Sequence, residues 1–367
     1  MNNSKKALIA MSGGVDSSVA ALLTKEMGYD CVGCTMKLHE FGADKTDAGN
    51  ADSEAADASC GSGKDAEDAR KVCEQMAMPH YIFDFSSDFK ANVIDNFVDC
   101  YGKGWTPNPC IECNRTMKFG KLYDQGKSLG CDMIVTGHYV RIEKQGDKYL
   151  LKKAVDPGKD QSYVLYSLTQ EQLAHTLFPL GGMTKDEARA LAETHGFTNA
   201  HKPDSQDICF VPDGDYASVI EYYTGNKPKP GDFVDAEGNV LGTHKGIIHY
   251  TIGQRRGLGL AFKESHYVCE IRPEANQVLL GLNDELFTPH LIADQFNWIS
   301  GEIPTEPVRC QAKIRYRHKE QDATATVLAD GKVEVVFDQP QRAITKGQAV
   351  VLYDGDVVLG GGRIISK

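Results

Sequence analysis

Seven residues near the start of the chain, Ser12-Gly13-Gly14-Val15-Asp16-Ser17-Ser18, restrict its fold more than any other feature. They join residues 5–11, KKALIAM, which read as a short buried strand, to residues 15–27, which read as a helix. Glycines at such a junction let backbone N–H groups close on one point. Serine hydroxyls add donors there, and the helix N-terminus supplies partial positive charge. That combination binds phosphate. The lysine of a Walker A loop is missing, so the γ-phosphate chemistry of ordinary kinases and GTPases is not expected.

The alternation continues downstream. Residues 30–38, 80–85 and 131–136 read as strands, and residues 64–76, 88–101 and 117–129 as helices. Strands alternating with helices predict a parallel, doubly wound, Rossmann-like α/β sheet. Residues 42–63 are almost all Ala, Asp, Ser and Gly and read as an acidic surface loop. Thr184-Lys185-Asp186-Glu187 reads as a capping box opening a helix, with Gly196 as its terminator. Beyond about residue 205, short β-rich runs alternate with the turns Glu237-Gly238-Asn239, Asp330-Gly331 and Asp354-Gly355. The predicted organisation is an α/β domain over 1–205 and two small, mainly β domains over 206–282 and 283–367, the last barrel-like. A length of 367 residues accommodates them. No apolar run approaches the roughly 18–20 residues of a membrane span. The apolar run near Met1 is also too short for a signal peptide, so the cytoplasm is the expected compartment.

Eleven cysteines in a cytosolic chain point to thiol chemistry, metal ligation or burial rather than to disulfides. Cys31 and Cys34 lie three apart on a predicted strand, where they face opposite sides and serve as core. Cys110 and Cys113 follow Thr106-Pro107-Asn108-Pro109, whose prolines predict a loop that lets both thiols converge. Cys209, between Ile208 and Phe210, has the surroundings of a buried thiol. A net charge of −11 argues against non-specific nucleic-acid binding, so any positive surface must be local. Residues 309–319, RCQAKIRYRHK, read as a strand with Arg309, Gln311, Lys313, Arg315, Arg317 and Lys319 on one face and Cys310, Ala312, Ile314 and Tyr316 on the other. Such a face is a phosphate track or a merely solvated charged strand. Arg255 and Arg256, between glycines, would extend the track.

The Ser12–Ser18 run resembles the PP-loop of the N-type ATP pyrophosphatases. A longer pattern resembles the tRNA-specific 2-thiouridylases over essentially the whole chain. It comprises SGGVDSS, Met36-Lys37, TPNPCIECN with Lys118-Phe119, Gly137-His138-Tyr139, Lys159-Asp160-Gln161-Ser162-Tyr163 and DSQDICF. Gly253-Gln254-Arg255-Arg256-Gly257-Leu258-Gly259, Arg315-Tyr316-Arg317 and Gly360-Gly361-Gly362 complete it, in family order.

The resemblance implies ATP contacts at Ala10, Met11, Ser12, Gly13, Gly14, Val15, Asp16, Ser17, Met36 and Gly137, with Mg2+ accompanying ATP. It implies that Asn108, Pro109 and Cys110 surround the target base and that Cys113 acts as the nucleophile. Cys209 would carry sulfur as a persulfide. His138, Lys159, Asp160, Gln161, Arg315, Tyr316 and Gln348 would touch tRNA. The expected activity is ATP-dependent 2-thiolation of the tRNA wobble uridine, giving AMP and pyrophosphate. Its partners would be tRNA and a cysteine desulfurase or sulfur-relay donor, with neither DNA nor a membrane involved. Many family members have Asp where this chain has Cys110. Cys110, Cys113 and Cys209 would match the ligand set of related thiolases that hold a 4Fe–4S cluster, with a zinc site or a spectator thiol as alternatives. A metabolite ligase of the argininosuccinate or GMP synthetase type would share SGGVDSS but leave the loop cysteines without a role. A non-catalytic RNA- or metal-binding protein would not need the phosphate loop.

Overall fold

The computed structural model describes residues 5–39, 63–204, 208–211 and 214–367. The acidic stretch lies outside them except for its last residue, Gly63. The N-terminal sheet contains β1 (Lys6–Ala10), β2 (Asp30–Lys37), β3 (His80–Asp84), β4 (Met133–Val135) and, further along the chain, a two-residue strand Thr176–Leu177. Their spatial order is β3, β2, β1, β4 and the short strand, all parallel. Two cores flank this sheet, as a doubly wound fold requires. Val15, Val19 and Ala20 of α1 (Val15–Glu26) and Val72 of α2 (Gly63–Gln75) pack on one face. Phe89, Phe97, Met117 and Phe210 pack on the other. Cys31 belongs to the first core and Cys34 to the second, as their spacing on a strand predicts.

The predicted helices are present with altered geometry. The second runs through Ser86–Phe89, a π-helical turn at Lys90–Ile94, and Asp95–Gly102. The third starts earlier than expected. Its first turn is Pro109–Glu112, its next segment Cys113–Lys121 is π-helical, and Leu122–Ser128 is α-helical again. Cys110 and Cys113 therefore stand on a helix and not in a loop. Pro109 fills a first-turn position, where a missing N–H costs nothing. The capping box at Thr184 forms as read, with Thr184 N–H donating to Glu187 Oε2 at 2.7 Å.

An antiparallel hairpin follows β4, with β5 at Val140–Gln145 and β6 at Lys148–Lys153. With the Thr176–Leu177 strand numbered β7, a four-stranded sheet follows: β8 (Gly231–Val234), β9 (Val240–His244), β10 (Tyr267–Arg272) and β11 (Gln277–Gly281), in the order β10-β11-β8-β9. The last six strands are β12 (Phe287–Trp298), β13 (Val308–Lys313), β14 (Gln321–Val327), β15 (Val333–Arg342), β16 (Ala349–Asp354) and β17 (Val357–Ser366). Pairing of β12 with both β15 and β17 closes them into a barrel. The β5–β6 hairpin joins that sheet through Lys152 and Val357, so a piece of the first half of the chain extends the C-terminal sheet.

The basic strand ends earlier than predicted. β13 stops at Lys313, and residues 314–319 turn away. Cys310, Ala312 and Ile314 are buried as expected, but Tyr316, expected on the same face, is exposed because the strand has ended, and the charged side chains do not line one face. Arg309 is paired with Asp338 at 2.7 Å, Lys313 lies over the rings of Tyr163 and Tyr316, and Arg315 donates to the Arg342 carbonyl at 3.1 Å. Among the described residues no helix is long and apolar enough to cross a membrane.

Tyr163 ties the two halves together. Fully buried, it donates its hydroxyl to the Ala349 carbonyl of β16 at 2.8 Å. Tyr163→Phe leaves that buried carbonyl without this partner and should destabilise the chain by about 1–3 kcal/mol. A lowered urea midpoint checks this, and an unchanged midpoint would show that the bond adds nothing.

Candidate active site

The phosphate loop is built by close backbone approach. Gly13 has φ +74°, and a Cβ there would sit 2.3 Å from the Asp65 carbonyl oxygen at the start of α2. Only glycine fits both the conformation and the space. Gly14 caps α1 in extended geometry without a side-chain cap, which leaves first-turn N–H groups for an anion. The loop serines are internally ordered. Ser17 Oγ donates to Gly14 O at 3.0 Å and lies 3.2 Å from both Ser12 N and Ser12 Oγ. Asn199 Nδ2 bridges Gly13 O and Ser18 Oγ, while Lys202 reaches Gly13 O, Asp65 and Asp68. Gly137 packs on the first turn of α1, where a Cβ would meet Ser17 N at 2.8 Å. Met36 is buried at the end of β2.

Asp16 points into a charged network. Lys185 Nζ contacts its two oxygens at 2.7 and 2.8 Å, and the Tyr139 hydroxyl donates to it at 2.7 Å. Lys185 also pairs with Asp204 at 2.7 Å, and Asp204 binds Lys159 at 2.6 Å and Arg189 at 3.2 Å. Burial alone would raise the Asp204 pKa, but Lys159 and Lys185 outweigh it and hold the carboxyl well below the usual range. Burial and the Asp16 charge push Tyr139 upward, so it stays a donor. Asp16 is the carboxylate suited to a magnesium ion arriving with a polyphosphate, because the hard cation takes oxygen ligands.

The cysteine region lies on the opposite face of the sheet. Asn108 caps the helix by accepting from Cys110 N–H at 3.2 Å. Cys110 is exposed, and Cys113 and Cys209 are half-buried. Cys113, Cys209 and Ala10 all pack against the core that contains Met36, Phe89 and Phe210. Crowding pushes the Cys110 thiol upward, while the nearby Lys118 ammonium pulls it down. Lys118 Nζ lies 3.4 Å from His138 Nε2, and His138 Nδ1 lies 2.7 Å from Thr136 Oγ1. Burial, then Lys118, holds the His138 pKa well below its ordinary value. The ring is therefore neutral, with Nε2 accepting from Lys118 and Nδ1–H donating to Thr136.

The residues expected at tRNA are partly engaged within the protein. His138 is buried beneath Lys118, Lys159 is paired with Asp204, and Gln161 Oε1 accepts from Tyr139 N at 2.9 Å. Asp160 accepts from Ala154 N and Ser162 Oγ, and its carbonyl accepts from the Tyr316 hydroxyl at 3.3 Å. Tyr316 also feels the Cys110 thiol, so Cys110, Lys118, Asp160 and Tyr316 form one neighbourhood. Gln348 Nε2 donates to Thr106 O at 2.9 Å and Pro107 O at 3.3 Å, holding the backbone that leads to Cys110. Arg255, Arg256, Arg317 and Lys319 are exposed.

The cluster expectation finds no support in the structure. Among the described residues no three His, Cys, Asp or Glu side chains are grouped to hold a metal, and Cys110, Cys113 and Cys209 are all described. Cys110 lies within electrostatic reach of Lys118 and Tyr316, whereas the other two thiols border the apolar core.

Sequence reasoning missed Lys185, Asp204, Asn199 and Lys202 as site residues. One signal existed for Lys185: a lysine at the first position of a helix opposes the helix dipole and needs another reason to be there.

Residues 5–213 match the family described as tRNA methyl transferase HUP domain, and residues 217–282 match its PRC-barrel domain. Residues 288–364 match the aminomethyltransferase beta-barrel domain. Proteins named tRNA-specific 2-thiouridylase MnmA from Clostridioides difficile strain 630 and Lachnoclostridium phytofermentans are each 49% identical over 362 residues. They cover 98% of this chain and 98% and 99% of their own lengths. The protein named tRNA-specific 2-thiouridylase MnmA 1 from Thermoanaerobacter sp. strain X514 is 49% identical over 371 residues, covering 100% of both chains.

The Gln348 contacts generate a local expectation. Gln348→Ala should speed amide exchange at Thr106 and Asn108 by about fivefold or more, the loss of roughly 1 kcal/mol of local hydrogen bonding. Hydrogen exchange read by mass spectrometry checks it, and unaltered rates in residues 105–111 would show that the loop is held by other contacts.

Proposed function

The chain belongs to the tRNA-specific 2-thiouridylase family, and from that premise we propose that it thiolates the wobble uridine of tRNA through an adenylated intermediate and two cysteines. One observation carries this reading. Ala10 and Met36, at the carboxyl ends of β1 and β2, and Cys113 and Cys209 from the sulfur side pack on one core. Ligands of open α/β sheets bind at that edge.

In the proposed reaction the uridine C2 oxygen attacks the α-phosphorus of ATP and pyrophosphate leaves. The carbonyl oxygen, a poor leaving group as oxide, becomes part of AMP. Gly13, Gly14 and the first turn of α1 hold the β- and γ-phosphates through backbone N–H groups. Asp16 would hold a magnesium ion, which when bound would supply positive charge beside the pyrophosphate group. Asn108, Pro109 and Cys110 border the base.

Cys209 receives a sulfur atom from a persulfide donor such as a cysteine desulfurase or relay protein. Its terminal sulfur attacks C2, and AMP is expelled. The Cys113 thiolate then attacks the Cys209 sulfur, the S–S bond breaks, and the transferred sulfur stays on C2 as the thiocarbonyl. A Cys113–Cys209 disulfide remains, and a dithiol reductant returns two electrons to restart the cycle. Cys110 has no step in this scheme.

Two measurements test it. Asp16→Ala should reduce tRNA-dependent pyrophosphate release by at least about a hundredfold, with tRNA binding close to wild type. Release at the wild-type rate would remove the nucleotide assignment. Cys113→Ser and Cys209→Ser should each abolish 2-thiouridine in tRNA digests read by mass spectrometry, whereas Cys31→Ser should retain it. Normal thiolation by Cys209→Ser would end the two-cysteine scheme.

A further inference from the structure

Cys110 and Cys113 stand three positions apart, and the reaction above uses only the second. Both lie in the first turn of the helix that begins at Pro109. Cys113 N–H donates to the Cys110 and Pro109 carbonyls, three and four residues back. Across a bond between residues three apart the two side chains eclipse one another, so both thiols share one edge of the helix. Cα atoms at that spacing lie roughly 5 Å apart, inside the range of about 4.4–6.8 Å that a disulfide spans. The turn is anchored at its start, where Asn108 accepts from Cys110 N–H at 3.2 Å and Gln348 holds the Thr106 and Pro107 carbonyls.

Access separates the three thiols. Among the described cysteines Cys110 alone is exposed, whereas Cys113 and Cys209 are half-buried and border the apolar core. Thiol–disulfide exchange depends on reaching a sulfur, so a Cys113–Cys209 bond presents a poor target to a bulky dithiol. Crowding raises the Cys110 thiol, and the Lys118 ammonium offsets part of that rise. A paired Cys-X-X-Cys on one turn, with one thiol outward and one inward, is suited to carrying a disulfide from an interior site to the surface.

We propose that Cys110 is the resolving cysteine of the cycle, which moves the disulfide from Cys113–Cys209 to Cys110–Cys113. The Cys110 thiolate attacks Cys113 Sγ, the Cys113–Cys209 bond breaks, and Cys209 leaves as a thiolate. One disulfide is lost and one is formed, so no electrons are consumed, and the proton given up by Cys110 is balanced by the one Cys209 takes. The dithiol reductant that the cycle already requires then attacks the exposed Cys110 sulfur. Cys113 leaves as a thiolate, and the reductant's second thiol releases Cys110. Cys209 is thereby free to receive its next sulfur before the reductant acts. The proposal rests on the two-cysteine scheme above and adds the step that resets it.

The test uses the full chain, loaded with persulfide by a cysteine desulfurase and freed of donor and reductant. Magnesium, ATP and tRNA start one turnover, an acid quench with N-ethylmaleimide stops it, and non-reducing peptide mass spectrometry locates the disulfide per 2-thiouridine formed. In wild type, Cys110–Cys113 should exceed Cys113–Cys209 by at least about tenfold, with Cys209 carrying the maleimide. Cys110→Ser and Cys110→Ala should both retain Cys113–Cys209, with Cys209 unlabelled. Cys113–Cys209 as the main product in wild type and variants alike would overturn the resolving step while leaving the two-cysteine scheme intact. Thiouridine formed with no disulfide in any of these proteins would overturn both.

Discussion

A Cβ at position 13 would lie 2.3 Å from the Asp65 carbonyl oxygen, so β1 can hand over to α1 only through a glycine in the left-handed region. That contact presses the phosphate loop against the start of α2 and brings Gly13 O within reach of Asn199 and Lys202. The direction of α1 follows from it. With α1 placed, Asp16 faces Lys185 and Tyr139, and Gly137 packs against the first turn. The phosphate loop is a junction of four parts of the chain, and its donors are arranged before any ligand arrives. Such preorganisation lowers the cost of binding a polyphosphate.

The same sheet separates two chemistries. Charge is concentrated around Asp16, Lys185 and Asp204, where partially buried ions are paired. The thiols Cys113 and Cys209 lie against the apolar core on the other face. Between these regions, the C-terminal half of the chain reaches back. Gln348 holds the backbone before Cys110, Tyr316 bonds to Asp160, and Tyr163 bonds to β16. The barrel therefore helps build the wall that carries Cys110 while also contributing exposed cations. Several groups expected at tRNA, notably His138, Lys159 and Gln348, hold other protein groups in place.

The parts legible in the sequence were those governed by local rules. The apolar runs of β1, β2 and β4 stand out because strands covered on both faces are rich in hydrophobic residues. The glycine–serine run is legible because phosphate binding needs glycine at a left-handed position before a helix. Cys31 and Cys34 fall on opposite faces because side chains alternate along a strand. The capping box at Thr184 is a contact between residues three apart. The family pattern added an expected association of Cys113 with Cys209, which spacing alone does not supply.

Other features were decided by tertiary contacts. β7 has two residues and exists only because β4 offers a parallel edge. Residues 309–319 alternate well enough to be a strand throughout, yet the pairing with β14 and β16 ends by Lys313 and the chain turns. The prolines before Cys110 suggested a loop, but Pro109 serves as the first turn of a helix once Asn108 caps it. Lys185, Asn199 and Lys202 carried little local mark of a site because their partners, Asp16, Gly13 and Asp65, are more than a hundred positions away. By itself the sequence determined the alternating strand–helix order, the phosphate loop and the stock of thiols, since each depends on neighbours within a few residues. Only the tertiary structure decided which charges meet Asp16, which thiols share a core and which half of the chain holds the Cys110 wall, because those contacts depend on how distant segments pack.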